Sequence, residues 1–221
     1  MIAIDGPAGS GKSSVAHALA RRLGYRYLDT GAMYRAAAWR LDRLGIAVAE
    51  GARLRDAVES IEIDLTDDED GLRVSVNGEE VTTEIRSQRL AMLASQYSAL
   101  PSVRARLTRL QRAWKDLGGV VAEGRDTTTV VFPDADLKVY LDATPEERAR
   151  RRLAQLEAQG TRVEAALVWE DLRQRDRADA SRPVAPLVRA SDALYIDTTR
   201  LTVEDVVNRL VGEVERLCCT G

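Results

Sequence analysis

Apolar and polar positions at the start of the chain form blocks that predict a strand, a glycine-rich loop and a helix. Residues 1–4 are a short apolar run, and valine and leucine recur at helical spacing over 12–23. A second strand is predicted over 25–28 and a second helix over 31–44. Gly45 follows that helix at a position where a left-handed cap favours glycine. These segments together predict one βαβα unit.

Between residues 46 and 85 the pattern changes to strict alternation. Apolar side chains alternate with polar ones over 61–65 and again over 72–76. Asn77 and Gly78 follow as a hairpin turn signal. The segment 46–85 is therefore predicted to be a small antiparallel β insert.

The remainder of the chain combines amphipathic helical patterns with short β-rich runs. The runs 119–122 and 137–141 lack clean alternation, which is typical of parallel strands covered by helices on both faces. A last strand is predicted over 194–196. The helices are predicted over about 84–100, 101–117, 144–160 and 163–180, and from 202 to the end of the chain.

Composition narrows the classes of function. The 221 residues are 45% hydrophobic and 30% charged, which is enough for a globular core. The net charge of -3 provides no global positive field for nucleic acid or an anionic membrane, so neither partner is expected. The apolar runs fall short of the roughly 20 residues of a membrane span. We expect a cytoplasmic protein, with a monomer as the default.

Residue usage excludes several common catalytic chemistries. His17 is the only histidine, and Cys218 and Cys219 are the only cysteines, so a zinc cluster, a Ser-His-Asp triad or a disulfide framework is hard to assemble. Three of the 32 basic residues are lysines and the other 29 are arginines. The planar guanidinium fork of arginine suits phosphate.

The segment Gly6–Ser13 matches the phosphate-loop pattern G-x-x-x-x-G-K-[ST] between a predicted strand and a predicted helix. In such a loop the backbone N–H groups surround phosphate oxygens, Lys12 reaches the β and γ phosphates, and Ser13 can ligate Mg²⁺. A chance turn of the same composition is the alternative. A GTPase is disfavoured because no guanine-reading N-K-x-D follows either asparagine.

Three further segments each have a functional and an ordinary interpretation. The strand end at 28–35 carries Arg35, which can clamp a second phosphate, although glycine after a strand is also a common turn. The strand end at 121–126 carries an acid that can hold a magnesium-bound water, or else a surface ion pair. The arginines of 144–189 form either a solvated face or a hinged cover that excludes water during phosphoryl transfer.

The chain resembles the bacterial cytidylate kinase family over nearly its whole length. The matching blocks are Gly6–Ser13, Leu28–Arg35, Glu84–Gln88, Ala94–Gln96, Pro101 with Arg104, Glu123–Asp126, Val130–Ala135, Glu147–Ala149, Arg175–Arg177 and Ser181–Leu187. Several such blocks in order are far more specific than a phosphate loop alone.

The resemblance implies a fold and a division of the chain. We expect a three-layer α/β P-loop kinase fold with a five-stranded parallel sheet, a helical lid over about 145–185 and a small antiparallel β insert. The kinase core would comprise 1–45 and 86–221. The insert, 46–85, would lie at the monophosphate-binding side.

The resemblance also implies an activity, namely transfer of the γ-phosphoryl group of ATP, with Mg²⁺, to CMP or dCMP. The implied ATP-binding residues are Gly6, Pro7, Ala8, Gly9, Ser10, Gly11, Lys12, Ser13 and Ser14, with Ser13 as the metal ligand. The implied catalytic residues are Lys12, Arg125, Arg148 and Arg152, of which Arg148 and Arg152 would belong to the lid.

The acceptor site implied by the resemblance has four parts. Thr30 and Tyr34 would line it. The phosphate would be held by Arg35, Arg125 and Arg182, the ribose by Arg175 and Asp179, and the cytosine by Ser95, Arg104 and Asp126.

One position departs from the family pattern, because Thr128 stands where related chains usually have glycine in G-R-D-x-G-T. A β-branched residue disfavours positive φ, so the backbone there is either extended or part of a differently shaped loop.

Two other functions stay open. One is a kinase for a different small acceptor such as UMP, and the other is an ATP-binding regulator that transfers no phosphate.

Overall fold

The computed structural model describes residues 1–68, 71–158 and 160–220. Five parallel strands form the main sheet in the order β2-β6-β1-β7-β8. These strands are β1 (Ile2–Asp5), β2 (Arg26–Asp29), β6 (Val120–Gly124), β7 (Leu137–Asp142) and β8 (Leu194–Asp197). A second, antiparallel sheet contains β3 (Ile63–Asp68), β4 (Gly71–Val76) and β5 (Glu79–Glu80). The predicted α/β class with a five-stranded parallel sheet is confirmed.

Helices connect these strands and cover the apolar side chains of the sheets. They are α1 (Lys12–Leu23), α2 (Thr30–Arg43), α3 (Ala52–Glu59), α4 (Gln88–Tyr97), α5 (Pro101–Arg112), α6 (Pro145–Ala158), α7 (Ala165–Ser181) and α8 (Val203–Thr220). Most begin and end within a few residues of the predicted positions, because their apolar faces repeat with the helical period.

Strand register determines which residues meet at the carboxyl edge of the sheet. Strand β1 is central, and its Ile2 pairs with Val121 of β6 on one side and with Leu137 of β7 on the other. The same register places Asp5 beside Gly124. Loops that follow β1, β6 and β7 therefore leave the sheet at one edge, where open α/β sheets bind ligands.

The chain packs as two compact units. The first comprises residues 1–26 and 118–221, and the second comprises 27–117. The second unit has its own apolar core, to which α2 contributes Ala36 and Leu41 and the small sheet contributes Val74. The predicted insert 46–85 lies within this second unit, and the exact bounds given to it from the sequence stay a prediction.

The predicted hairpin turn is present between β4 and β5. Asn77 and Gly78 have φ values of 50° and 80°, which are the left-handed conformations that a tight hairpin requires. The insert also contains α3, which the sequence did not predict. Helix α3 is only eight residues long and buries just Leu54 and Val58, so its periodic signal is short.

Two predicted helices have the wrong extent. The segment predicted as one helix over 84–100 is a 3₁₀ turn, Glu84–Arg86, followed by α4. Ser87 separates them, because its extended backbone and its side chain, which accepts from the N–H of Leu90, start a new helix. The helix predicted over 101–117 is α-helical only to Arg112 and continues as a 3₁₀ segment.

Within the described ranges, none of the helices combines the length and the apolar character that crossing a bilayer demands.

Candidate active site

The loop after β1 is shaped by two glycines that pack against neighbouring elements. A Cβ on Gly6 would lie 2.0 Å from the carbonyl oxygen of Leu141, so only glycine lets the loop pass β7 this closely. A Cβ on Gly9 would lie 3.0 Å from Cβ of Arg148 in α6. The loop therefore takes its curved path only with glycine at these positions.

Two polar side chains of the loop lie buried beneath it. Among the described residues, the hydroxyl of Ser10 is buried and has no hydrogen-bond partner. The ammonium of Lys12 is also buried and donates to the carbonyl oxygen of Pro7 at 2.8 Å. A buried hydroxyl without a partner and a buried ammonium are each costly unless an anion accepts from them, and a triphosphate is such an anion.

The charges around Lys12 also favour a bound anion. The pKa of Lys12 is lowered to about 7, mainly because the ammonium is buried and secondly because Arg125 is positively charged. Three carboxylates oppose the shift, namely those of Glu123, Asp5 and Asp179. Phosphate oxygens near Lys12 would restore its ordinary preference for the charged form.

Ser13 and Glu123 are brought together although they are far apart in the sequence. The Ser13 hydroxyl donates to Oε1 of Glu123 at 2.7 Å, and Glu123 is buried at the end of β6. A hydroxyl and a carboxylate are oxygen ligands of the type Mg²⁺ prefers. The pair therefore fits the magnesium of a P-loop kinase, in which a loop hydroxyl and a strand-end acid hold the metal. The sequence indicated an acid here without pairing it to Ser13.

Arg125 and Arg182, both predicted to hold the acceptor phosphate, share a carboxylate on α7. Nε of Arg125 donates to Oδ2 of Asp179 at 2.8 Å, and Nη1 of Arg182 lies 3.8 Å from Oδ1 of the same group. Asp179 is the predicted ribose contact. In this structure it orients the two arginines, so their guanidinium groups are already held in place for an anion.

Arg148, the first predicted lid arginine, connects α6 to the phosphate loop and to α7. Its Nη1 donates to the carbonyl oxygen of Ala8 at 3.1 Å and to Oδ2 of Asp176 at 2.6 Å. Arg152, the second, donates to Oε1 of Gln155 on its own helix at 2.9 Å.

Sequence reasoning assigned no role in the site to Arg151, which lies near the loop. Its Nη1 would be 3.5 Å from a Cβ on Gly11, and it donates to both the hydroxyl and the carbonyl of Thr198. The Thr198 hydroxyl in turn donates to the carbonyl oxygen of Ser10. Helical spacing from Arg148 places residue 151 on the same face, and this signal could have identified it.

Arg175, predicted to contact ribose, lies on α7 and donates from Nε to Oδ1 of Asp171 at 3.3 Å. Its Nη2 is buried and, in the part of the chain that the structure describes, has no partner. The unused donor is available to a hydroxyl or phosphate oxygen.

In the second unit, the start of α2 is built around Asp29. Its Oδ1 accepts from the N–H of Ala32 at 2.7 Å, which caps the helix, and its Oδ2 accepts from Arg35 at 3.1 Å. Thr30 is buried as the first residue of α2. Arg35, a predicted phosphate ligand, is thus held by an aspartate six residues earlier in the chain.

Tyr34 and Arg104 also meet within the second unit. Cζ of Arg104 lies 5.5 Å from the ring centroid of Tyr34, and its Nη1 donates to the carbonyl oxygen of Ser98 at 3.1 Å. The hydroxyl of Ser98 donates to the carbonyl oxygen of Ser95, the remaining predicted base contact on this unit. Ser98 therefore links Ser95 to Arg104, a role that the sequence did not reveal.

The loop after β6 has neither positive φ nor an extended backbone at Thr128. Residues Thr127–Val131 form a π-helical turn in which Thr128 is buried. The differently shaped loop, one of the two alternatives for Thr128, is therefore what the structure contains. Asp126 directly precedes this turn and is buried.

Comparison with known proteins agrees with this arrangement. The family model described as cytidylate kinase matches residues 2–216. A cytidylate kinase of Pelotomaculum thermopropionicum is 49% identical over 215 residues, covering 96% of this chain and 95% of its own length. A cytidylate kinase of Pseudomonas paraeruginosa is 45% identical over 218 residues, covering 98% and 95%.

Similarity of structure extends to more distant proteins. An uncharacterized protein from Eubacterium ventriosum has a TM-score of 0.52 at 12% identity, with 97% of each chain covered, which indicates a shared fold alone. The match to the family model and the identities to the curated relatives run through almost the entire chain. This chain is therefore a member of the cytidylate kinase family.

Proposed function

We propose that the chain transfers the γ-phosphoryl group of ATP to CMP or dCMP, giving ADP and the nucleoside diphosphate. The observation that carries the proposal is that α7 holds a cation of each phosphate site. Asp176 accepts from Arg148, which also donates to Ala8 of the loop, and Asp179 accepts from Arg125. A donor phosphate at the loop and an acceptor phosphate at Arg125 would then lie near each other. A protein that only binds ATP has no use for the second cationic group.

The donor site is proposed to comprise the phosphate loop, residues 6–14. Backbone N–H groups, the Ser10 hydroxyl and the Lys12 ammonium would contact the β and γ phosphates. Mg²⁺, when bound, neutralises charge on the β and γ oxygens. Ser13 would be its ligand, and Glu123 would accept a hydrogen bond from one of its waters.

The acceptor site is proposed to bind the phosphate, the ribose and the base of the nucleotide through separate sets of residues. Thr30 and Tyr34 would line the site. The phosphate ligands would be Arg35, Arg125 and Arg182, the ribose ligands Arg175 and Asp179, and the base ligands Ser95, Arg104 and Asp126. The carboxylates that hold these arginines keep them oriented before substrate binds, which reduces the ordering cost of binding.

In the transfer step an oxygen of the acceptor phosphate attacks the γ phosphorus, and the bond from that phosphorus to the β–γ bridging oxygen breaks. Negative charge grows on the bridging oxygen and is spread over the migrating group. Lys12, Arg125, Arg148 and Arg152 would stabilise that charge. Arg148 is well oriented for this role, because its contacts with Ala8 and Asp176 hold it beside the loop.

A single coupled assay tests the proposal. ADP release is measured with ATP and Mg²⁺, with no acceptor and then with CMP, dCMP, UMP and AMP separately. The proposal expects release that depends on CMP or dCMP. Release that depends on a different acceptor would identify another small-molecule kinase, and binding of ATP with no release under any condition would identify a regulator.

The oligomeric state, the location and the partners of the enzyme stay predictions from composition and from the family resemblance. We propose a monomer in the cytoplasm, with the nucleotides as its partners and without nucleic acid or a membrane. Mass determination by light scattering during gel filtration would test the monomer, whose chain mass is 24.3 kDa.

A further inference from the structure

Asp5 is fully buried at the carboxyl end of β1, and no part of the proposed transfer step uses it. Its carboxylate accepts four hydrogen bonds. Oδ1 accepts from the N–H of Thr127 at 2.9 Å and from its hydroxyl at 2.5 Å. Oδ2 accepts from the N–H of Thr128 at 2.7 Å and from its hydroxyl at 2.6 Å. The four donors come from two adjacent residues 122 and 123 positions away along the chain.

These contacts enclose a two-residue segment. Gly124 pairs with Asp5 in the register of β1 and β6, and Thr127 is bound by the Asp5 carboxylate. The residues between them are Arg125 and Asp126, to which the acceptor phosphate and the cytosine are assigned. Asp5 therefore holds the chain on both sides of these two residues.

The turn that follows reinforces this geometry. The carbonyl oxygen of Asp126 accepts from the N–H groups of Val130 and Val131 at 2.9 and 3.1 Å. Because Thr127 and Thr128 begin this turn, their attachment to Asp5 determines where the turn starts and in which direction Asp126 leaves the strand. The Thr128 hydroxyl supplies one of the four bonds, and a glycine at that position would keep the N–H bond and lose the hydroxyl bond.

We infer that Asp5 and Thr128 are positioning residues, which orient Arg125 and Asp126 toward the acceptor nucleotide. The inference rests on the proposed function for the identity of that nucleotide. A hydrogen bond to a carboxylate is stronger than one between neutral groups, so removing one donor loosens the turn measurably. The effect is expected on the acceptor side of the reaction, since neither threonine belongs to the phosphate loop.

The central test compares Thr128→Val with Thr128→Ser. Valine has the shape of threonine without the hydroxyl, whereas serine keeps the hydroxyl and loses a methyl group. For Thr128→Val we expect KM for CMP to rise about tenfold, KM for ATP to change less than about twofold, and the preference for CMP over UMP to narrow. Thr128→Ser should restore values near those of the original chain. Asp5→Asn, which presents an NH₂ group to two donors, should raise KM for CMP further. It also removes a negative charge that acts on Lys12, so KM for ATP is judged from the two Thr128 variants alone.

A role confined to fold stability predicts a different pattern. In that case Thr128→Val would lower the melting temperature while both KM values and the CMP to UMP ratio stay unchanged below it, and the inference would be wrong. Equal behaviour of the valine and serine variants in every kinetic parameter would also overturn it.

A second measurement separates this inference from the proposed function. Amide hydrogen exchange at Val130 and Val131 reports the turn without any substrate, and Thr128→Val should exchange about tenfold faster there than Thr128→Ser. If the original chain phosphorylates no nucleoside monophosphate, the proposed function fails, while this exchange difference still supports the positioning of the turn. An absence of any exchange difference between the two variants would contradict the positioning itself.

Discussion

Lys12 illustrates how burial and neighbouring charge determine the behaviour of one residue. In the free protein its ammonium is nearly enclosed, donates to one backbone carbonyl and feels the positive charge of Arg125. These conditions destabilise the charged form, and a bound triphosphate would stabilise it. The charged form of Lys12 is therefore stabilised only when an anion binds, as expected of a group that acts on charge developing during transfer.

Replacing Lys12 by alanine should reduce turnover much more than stability. The ammonium is expected to meet charge that grows on the β–γ bridge, so its removal should lower kcat by on the order of 10² or more. Steady-state kinetics at saturating ATP and CMP would measure the effect, and circular dichroism would verify that the variant is folded. Near-normal kcat in a folded Lys12→Ala protein would contradict the assignment.

Affinity for ATP should fall as the pH rises above neutrality. Binding of phosphate raises the pKa of Lys12 from about 7, so the protein takes up a proton on binding wherever the free ammonium is already deprotonated. Uptake is small well below pH 7 and grows above it, and affinity declines in the same range. Calorimetric titrations between about pH 7 and pH 9 in buffers of different ionisation enthalpy would count the protons.

Lys12→Arg is the matched control for this pH dependence, because arginine keeps its charge throughout the range. It should bind ATP with little proton uptake. Equal uptake by the variant and the original chain would assign the titration to another group.

Base choice is expected to depend on Asp126. Its carboxylate can accept from the N4 amino group of cytosine, whereas uracil presents the acceptor O4 there, so this hydrogen bond is lost at a cost of roughly 1 to 3 kcal/mol. CMP should therefore exceed UMP by at least about tenfold in kcat/KM. Asp126→Asn, whose amide can rotate to donate to O4, should narrow the gap mainly by losing CMP activity. An unchanged ratio in the variant would mean that Asp126 does not recognise the base.

At the level of elements, the helices and strands follow the apolar periodicity closely where they are long. Helix α8 repeats its apolar positions over eighteen residues and begins next to its predicted start at 202. Helix α3 spans eight residues and was missed, and the break at Ser87, between the buried Ile85 and Leu90, was overlooked. Capping by a single hydroxyl decided the boundary there.

Ligand binding should change the dynamics of the small antiparallel sheet. If this segment closes over the monophosphate, amide exchange across residues 61–83 should slow with CMP and less with ATP alone. Hydrogen exchange followed by mass spectrometry would measure it, with UMP as the control acceptor. The same exchange with and without CMP would identify the segment as a static structural element.

At the level of the whole molecule, net charge and anion binding have to be reconciled. The chain carries a net charge of -3, yet the proposed substrates are anionic. The three arginines assigned to the acceptor phosphate are each paired with an aspartate. Asp179 pairs with Arg125 and Arg182, and Asp29 pairs with Arg35. Local orientation of paired cations therefore replaces a global positive field.

Substrate binding should stabilise the entire protein by mass action. A ligand at about 100 times its dissociation constant contributes about 2.7 kcal/mol, which for a chain of this size corresponds to a rise of about 5 to 10 °C in the melting temperature. CMP should reach this range in scanning calorimetry. UMP at the same concentration should reach about half of it if it binds tenfold more weakly. Equal shifts with both nucleotides would contradict discrimination at the binding step.

Local sequence was sufficient to determine the phosphate loop, the helices with long apolar repeats and the turn at Asn77-Gly78. Each of these depends on contacts between near neighbours, such as the N–H groups of consecutive residues or side chains one turn apart. For the same reason the family resemblance, carried by short blocks, could be recognised from the residues alone, and the comparisons confirmed it.

Only the tertiary structure decided which distant residues meet. Ser13 joins Glu123 across 110 positions, Asp5 joins Thr127 across 122, and Arg125 joins Asp179 across 54. These pairs depend on the order and register of the strands, which bring the loops after β1 and β6 to one edge of the sheet. Strand order follows from how the whole core packs, and no local pattern in the chain encodes it.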